Sequence, residues 1–183
     1  RMGIYASHAR RINRQHDIVV AGYTNSNQTH LQQEFNHQLR ASFKWRYRPK
    51  NVEGLTLVNT VSTMFRNRSI FFLWDGFDEG LYTPLGGGAA YQARYQIFTL
   101  DPKLTYFFGK NKRHSIRSIN RFYYDKNLNN IGSKRENSTY FFYNDLNYSY
   151  DWGKRGGLNG NVMVGASNRF YKVWSNGLDR LID

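Results

Sequence analysis

Apolar and polar side chains alternate along much of this chain. In residues 35–48 the odd positions are apolar or aromatic except for His37, and the even positions are all polar or charged. This period of two over fourteen residues predicts a β-strand with one apolar and one polar face. Strands in soluble proteins usually run about 5 to 6 residues, whereas a tilted strand that crosses a bilayer needs about 9 to 11. The length of this stretch therefore favours a membrane-spanning strand.

The alternation recurs along the chain and predicts about seven strands in all, the first of them weak. The further stretches are residues 2–9, 55–68, 91–108, 116–124, 139–152 and 158–170. In residues 91–108 the phase slips between Ile97 and Leu100, and Pro102 follows. Because proline cannot donate a hydrogen bond to a ladder, we expect a β-bulge there.

The predicted connections alternate between tight turns and longer polar loops. The tight turns are Pro49–Glu53, Gly109–Arg113 and Gly153–Gly156, and the longer loops are Arg11–His30, Asp75–Ala90 and Lys126–Asn137. Short periplasmic turns and long extracellular loops are typical of outer-membrane barrels. We therefore expect the two ends of the strands to lie on opposite sides of the membrane. The outer side would hold His16, Asp17, Asn25–Gln28, Asp75–Gly80 and Asn127–Lys134, and the periplasm Lys50, Asn51, Lys110–Arg113 and Lys154.

The composition agrees with a barrel and excludes a helical membrane protein. The chain has 14 Tyr, 13 Phe and 4 Trp, yet its mean hydropathy is −0.71. Alternating lipid-facing and lumen-facing residues produce this combination. A spanning helix needs about 20 consecutive apolar residues, and the longest apolar run is Ile70–Trp74. The absence of cysteine from the sequence excludes disulfides, thiolate catalysis and cysteine-based zinc sites.

Aromatic residues concentrate where the predicted strands end. The aromatic girdle residues that we single out are Trp45, Tyr47, Trp74, Tyr106, Phe108, Tyr150 and Trp152. Amphipathic rings are favoured at the level of the lipid headgroups, so these residues predict girdles at the two membrane surfaces. The alternative explanation is the ordinary preference of aromatic residues for strands.

The formal net charge of +13 raises nucleic acid as a partner. The basic residues, however, fall opposite the apolar face: Arg40, Lys44, Arg46, Arg66, Arg68, Arg94, Arg117, Arg121 and Arg169. Binding of single-stranded nucleic acid needs rings and cations on one face, and here the pattern separates them. We expect these side chains to line a barrel lumen. There they either contact a plug domain or an anionic ligand, or are simply solvated.

A set of seven antiparallel strands leaves two unpaired edges, because the first strand starts and the last strand finishes at opposite sides. Open edges are not tolerated in hydrocarbon, so further strands must complete the barrel. The chain also opens at Arg1, without an initiator Met or a signal peptide. We therefore expect an all-β, incomplete portion of a larger outer-membrane barrel.

Several segments resemble one family of barrels. The segment Leu39–Leu57, with Trp45-Arg46-Tyr47-Arg48-Pro49 and Asn51-Val52-Glu53-Gly54, is similar to the first half of the barrel of Bacteroidetes-type TonB-dependent receptors. Phe71-Phe72-Leu73-Trp74, Leu100-Asp101-Pro102 and Arg113-His114-Ser115 are similar too. The likeness covers roughly residues 35–171.

The resemblance implies a location and a set of partners. In this family a plug domain precedes the barrel, and TonB drives the uptake of siderophores, haem, vitamins or glycans across the bacterial outer membrane. Residues 1–183 would be a barrel segment, with the plug and the remaining strands outside them. The implied partners are the lipid bilayer, the rest of the barrel, the plug, TonB through the plug, and a surface lipoprotein, but no nucleic acid.

No catalytic, cofactor or metal site is predicted. The five histidines are scattered, and the acidic residues Asp75–Glu79 lack the alternation of an EF-hand calcium loop, so a polar turn is the default there. Two alternatives to transport stay open. One is a basic all-β module that binds nucleic acid. The other is a small closed barrel with an adhesive or enzymatic role, which needs an even, self-closing strand set and a catalytic group such as a Ser–His pair at one rim. We find neither in the sequence.

Overall fold

The part of the chain described by the computed structural model folds as one antiparallel sheet. The described residues are 2–28, 34–70, 91–129, 135–155 and 158–176. They form eight strands: β1 (Met2–Arg11), β2 (His16–Gln28), β3 (Phe35–Tyr47), β4 (Leu55–Ile70), β5 (Tyr91–Phe108), β6 (His114–Asn129), β7 (Arg135–Arg155) and β8 (Leu158–Ser175). The strands lie in chain order, and a 3-10 turn, Lys110–Lys112, precedes β6. The predicted all-β, antiparallel class is confirmed.

The register assigns every strand side chain to one of two faces, since directly paired residues in antiparallel strands point the same way. One row of pairs crosses seven strands on what we call the apolar face: Val20, Phe43, Val61, Leu100, Phe122, Phe142 and Phe170. The opposite side, which carries Lys44, Thr60 and Asp101 in one such row, is the polar face.

The apolar face is not covered by any other layer of the described structure. Leu39 is 55% exposed, Phe43 43% and Val164 65%. Among the described residues the only buried hydrophobic side chain is that of Ala93. A soluble protein rarely exposes so large a contiguous apolar surface to water. We therefore expect lipid or a protein partner to cover this surface.

Strand β2 was missed, because residues 11–30 were expected to form a loop. Its run of apolar residues from Ile18 to Ala21 occupies both faces and hides the alternation. The connection from β1 is only four residues long. Asn13 closes it, because its side-chain oxygen accepts hydrogen bonds from the backbone N–H groups of Gln15 (2.8 Å) and His16 (2.9 Å).

The added strand changes the topology in two ways. The strand number is eight rather than about seven, so the free ends of β1 and β8 lie at the same end of the sheet. His16 and Asp17 lie at the end with the tight turns, because they pair with Tyr47 and Arg46 just before the β3–β4 turn. The expectation that they share a side with the long loops was wrong.

The bulge expected near Pro102 is not present. The pairing of β5 with β6 has the same register from Ala93 to Leu100 as from Lys103 to Phe108, and it is interrupted only at Asp101 and Pro102. A missing donor breaks the ladder without needing an extra residue. The register shifts instead between β7 and β8 at Asp151/Gly153, where Gly153 has a φ of 66°. Gly153 therefore lies in a bulge inside β7 and not in the expected turn.

The strands also extend into the expected loop Lys126–Asn137, since β6 continues to Asn129 and β7 begins at Arg135. At the opposite end, Lys112 Nζ lies 2.7 Å from Glu53 Oε1 and links the β3–β4 and β5–β6 turns. The Lys112 ammonium lowers the pKa of the exposed Glu53 carboxyl group. Exposed pairs of this kind stabilise little.

The sheet is not closed. Within the described ranges β1 pairs only with β2, and β8 only with β7. The sequence predicted an open sheet because an odd number of antiparallel strands cannot close on itself. That reason does not apply to eight strands, but the edges of the described sheet are unpaired nonetheless.

Candidate functional site

The polar face contains a groove of about 660 Å³ to which six consecutive strands contribute. Lys44 of β3 and Tyr171 of β8 line the same groove. Five strand-to-strand steps separate them, which would place them about 24 Å apart in a flat sheet. We infer from this shared groove that the sheet curves around its polar face.

The groove is basic. Lys44, Lys103 and Arg169 make no ion pair with any other described residue. Arg121 is neutralised, since its Nε lies 2.7 Å from Asp101 Oδ1 and its Nη2 2.9 Å from Oδ2. Two parallel bonds of this kind fix the orientation of both groups. The free cations leave a net positive wall that suits an anion.

Aromatic rings lie beside these cations, which the alternation did not predict. The Arg169 guanidinium lies 5.6 Å from the centre of the Tyr143 ring, and Phe141 and Tyr171 line the same groove. The separation of rings from cations is therefore incomplete. The signal was present in β7, where Phe141 and Tyr143 hold positions that alternation reserves for polar residues.

At the tight-turn end of the polar face, Asp17 binds three arginines. Arg11 Nε lies 3.0 Å from Oδ1, while Arg46 Nη2 (2.6 Å) and Arg48 Nη2 (2.7 Å) both approach Oδ2. The Asp17 side chain is 15% exposed. This cluster joins β1, β2 and β3, so Arg46 has a structural partner and is not free for a ligand.

The remaining predicted basic residues of the polar face are spread over it. Arg66 donates to Asn36 Oδ1 at 2.8 Å, and Arg68 donates to the Tyr95 hydroxyl at 3.0 Å. Arg40 lines a smaller concavity of about 270 Å³, and Arg117 pairs in register with Asn147 on the same face. The structure thus places eight of the nine predicted cations on one face.

Arg94 is the exception. It pairs in register with Asn67 and Leu128, which puts it on the apolar face. The error follows from the absent bulge. An extra residue after Ile97 would have reversed the face of the first half of β5, whereas continuous pairing keeps Arg94 opposite to Arg66 and Arg68.

Aromatic rings form a row on the apolar face at the tight-turn end. Its stacked or tilted contacts are His16–Tyr47 (4.7 Å), Trp45–Tyr47 (5.7 Å), Tyr106–Phe108 (5.2 Å), Phe108–His114 (5.3 Å) and His114–Tyr150 (4.7 Å). Trp45 Nε1–H also donates to His16 Nδ1 at 3.1 Å. His16 and His114 were not predicted as girdle residues, although both adjoin tight turns. Trp152 packs over Gly160. Trp74 lies outside the described residues.

A second row lies at the other end of the same face. Its contacts are Phe35–His37 (5.1 Å), Phe122–Phe142 (4.8 Å) and Tyr124–Tyr140 (4.9 Å). Ten residues separate the rows on three strands, from 37 to 47, 114 to 124 and 140 to 150. Ten residues span about 33 Å, or about 25 Å in height for a strand tilted by about 40°. The apolar band of an outer-membrane barrel has this height.

Charged side chains are confined to the margins of the apolar face. Leaving aside the part of β7 and β8 beyond the bulge at Asp151/Gly153, the charged residues on the apolar face of the described strands are Arg10, Arg94, Lys126, Glu136 and Lys172. Each of these positions lies near a strand end. The band between the two rows of rings holds none in these strands, whereas the polar face is charged throughout its height.

The described part of the chain contains no group of three or more His, Asp or Glu side chains that could hold a metal ion. The acidic residues Asp75–Glu79 lie outside that part. None of the described residues belongs to a helix long and apolar enough to cross a membrane. No protein-family model, curated protein or solved structure matches this chain.

Proposed function

We propose that this chain forms part of the wall of an outer-membrane β-barrel receptor that imports a nutrient in a TonB-coupled cycle. The observation that carries the membrane part of the proposal is the band of the apolar face between the two rows of rings. It is exposed, free of charge in the described strands and about 25 Å high. Hydrocarbon is the solvent that such a band fits.

The concave polar face suits a water-filled lumen. A basic groove with adjacent rings can bind an anionic ligand or the carboxylates of a plug domain. The nutrient class, a siderophore, haem, vitamin or glycan, and the coupling to TonB rest on the resemblance of the segments around Trp45 and Pro102.

The two sheet edges need partners in this setting. β1 and β8 each present a row of backbone groups without a neighbouring strand in the described part, and such rows are not stable in lipid. We propose that further strands of the same barrel pair with both edges, which gives the wall more than eight strands.

Depth-resolved quenching of Trp45 tests the proposal. The full-length protein, with Trp45 as its single tryptophan, is inserted into vesicles whose lipids carry bromine either near the headgroup or near the chain end. We expect stronger quenching by the shallow bromines, because Trp45 lies in the tight-turn row. A tryptophan at position 43 is the matched control and should be quenched more by the deep bromines. No quenching at either position would refute a membrane location.

Single-stranded nucleic acid in the groove is a second candidate. It is favoured by Tyr143, Tyr171 and Phe141 on the same face as Lys44 and Arg169, the arrangement that stacking and phosphate contacts require. It leaves the exposed apolar face unexplained. Tight, salt-sensitive binding of an oligonucleotide by detergent-free protein would favour this candidate over transport.

A further inference from the structure

Arg94 is an exposed cation on the apolar face and forms no ion pair or side-chain hydrogen bond with any other described residue. Its flanking partners in register are Asn67 and Leu128. Lys126, a cation on the same margin, differs because its Nζ lies 2.6 Å from Glu136 Oε1. All the N–H donors of the Arg94 guanidinium are therefore available to a ligand on the apolar face.

The depth of Arg94 follows from the two rows of rings. Tyr106 and Phe108 belong to the tight-turn row, and the residues ten positions away on β5 are Gln96 and Phe98. Arg94 lies one outward-facing position beyond Gln96 and two beyond Phe98, or about 7 to 13 Å along the strand. Lys126 lies one outward-facing position beyond Tyr124, which belongs to the second row. These cations thus lie just past the apolar band, at the height of lipid headgroups.

Arg94 is also part of a concave site, which we call the Arg94 notch. It has a volume of about 340 Å³ and includes Ser26, His37, Leu39, Phe65, Asn67, Arg94 and Gln96. Leu39 and Phe65 form its apolar end, nearer the centre of the band. Asn67 and Gln96 flank Arg94, and the Ser26 hydroxyl lies 2.9 Å from His37 Nδ1. The notch therefore has hydrogen-bond donors at its outer end and an apolar surface, formed by Leu39 and Phe65, at its inner end.

We propose that the Arg94 notch binds the phosphate of an anionic membrane lipid, with the acyl chain along Leu39 and Phe65. This inference rests on the proposed membrane location. A guanidinium presents a planar fork that binds two phosphate oxygens at once, and the amides of Asn67 and Gln96 add neutral donors. A lipid can bind at both ends of the notch, with its phosphate at Arg94 and its acyl chain at the apolar end. A free anion would leave the apolar end exposed. The occupied leaflet is the one on the side of the long loops.

The test measures lipid retention by the full-length protein in nanodiscs of phosphatidylcholine with a minor fraction of phosphatidylglycerol. After transfer to detergent, native mass spectrometry counts each lipid that stays bound. Arg94→Gln removes the guanidinium. Arg68→Gln is the matched control, because Arg68 pairs with the neighbouring Ala93 and has the same height and charge on the polar face. A third arm adds inorganic phosphate as a competitor.

We expect wild-type protein to enrich phosphatidylglycerol, Arg94→Gln to lower that enrichment about tenfold, and Arg68→Gln to leave it unchanged. Equal enrichment by wild type and Arg94→Gln would overturn the inference. So would displacement of the lipid by millimolar phosphate, which would identify a site for free anions. Protection from protease in the nanodisc reports insertion separately. Insertion without enrichment overturns this inference alone, whereas failure to insert overturns the proposed function.

Discussion

His114 and Tyr150 face each other across β6 and β7 with their ring centroids 4.7 Å apart. Ten residues further along the same two strands, Tyr124 and Tyr140 repeat this contact at 4.9 Å. The two pairs bracket a stretch whose outward side chains include Phe122, Phe142 and Leu146. A repeat at this interval has a physical reason in a bilayer, because rings are favoured at both surfaces and charged side chains are disfavoured in the hydrocarbon between them.

The two faces should differ in their tolerance of charge at one depth. Replacing Phe43 by Arg should destabilise the complete barrel by about 2 to 4 kcal/mol, because the guanidinium would enter lipid near the midplane. Replacing Leu39 or Val164 by Arg should cost less than this, because each lies one outward-facing position from a row of rings. The same change at Gln38, Ser42 or Ser167 on the polar face should cost far less. Phe43 and its neighbour Ser42 form the sharpest pair. Urea titration of barrels refolded into vesicles measures the difference, and equal costs at the two positions would refute the assignment of faces.

Gly160 should tolerate no side chain. A Cβ there would overlap the Trp152 ring, so Gly160→Ala must displace that ring or shift the β7–β8 pairing. We expect a loss of about 1 to 3 kcal/mol, together with a change in Trp152 fluorescence. Gly22→Ala is the control, because nothing lies within 4 Å of the added carbon. That change should be neutral or stabilising, since alanine has less freedom to lose on folding. A harmless Gly160→Ala would mean that Trp152 does not occupy this position.

Asp17 should be needed for the pairing of the first three strands. Asp17→Asn removes the charge that three guanidiniums share and leaves them to repel one another. We expect a lower urea midpoint for the variant and easier proteolysis of β1 than of β6. Adding Arg46→Gln and Arg48→Gln to Asp17→Asn should recover part of the loss, as neighbouring charges couple. If the losses of stability from the three substitutions simply add, the charges of the cluster are not coupled, and the prediction is wrong.

The two ends of the sheet should be labelled from opposite sides of the membrane. Ser26 lies at the end of the sheet where residues 71–90 connect β4 to β5. Cysteine at Ser26 should react with an impermeant reagent in intact cells, whereas cysteine at Arg14 or Lys112 should react only after permeabilisation. Arg14 is informative, because the turn at residues 12–15 lies at the tight-turn end only if β2 exists. Labelling of Arg14 together with Ser26 would contradict the placement of β2.

The class of the fold, the approximate positions of seven strands and the faces of β3, β4, β6, β7 and β8 could be predicted from the sequence alone. These properties are local, since successive side chains in a strand point in opposite directions whatever the partner is. Alternation from Phe35 to Tyr47 therefore predicts both faces of β3 without knowledge of its neighbours. The rings next to the tight turns could be identified in the same way.

The existence of β2, the face of Arg94 and the shape of the groove depend on the pairing of strands and could not be predicted from the local pattern. Val19 and Val20 lie on opposite faces, so alternation is silent there, and pairing with β1 and β3 is what makes the segment a strand. Arg94 needed the continuous register across Pro102, because one inserted residue reverses a face. Lys44 and Tyr171 lie 127 positions apart in the chain and meet at one groove through the curvature of the sheet. Strand pairing and sheet curvature bring distant segments of the chain together, and the local alternation of apolar and polar residues predicts neither of them.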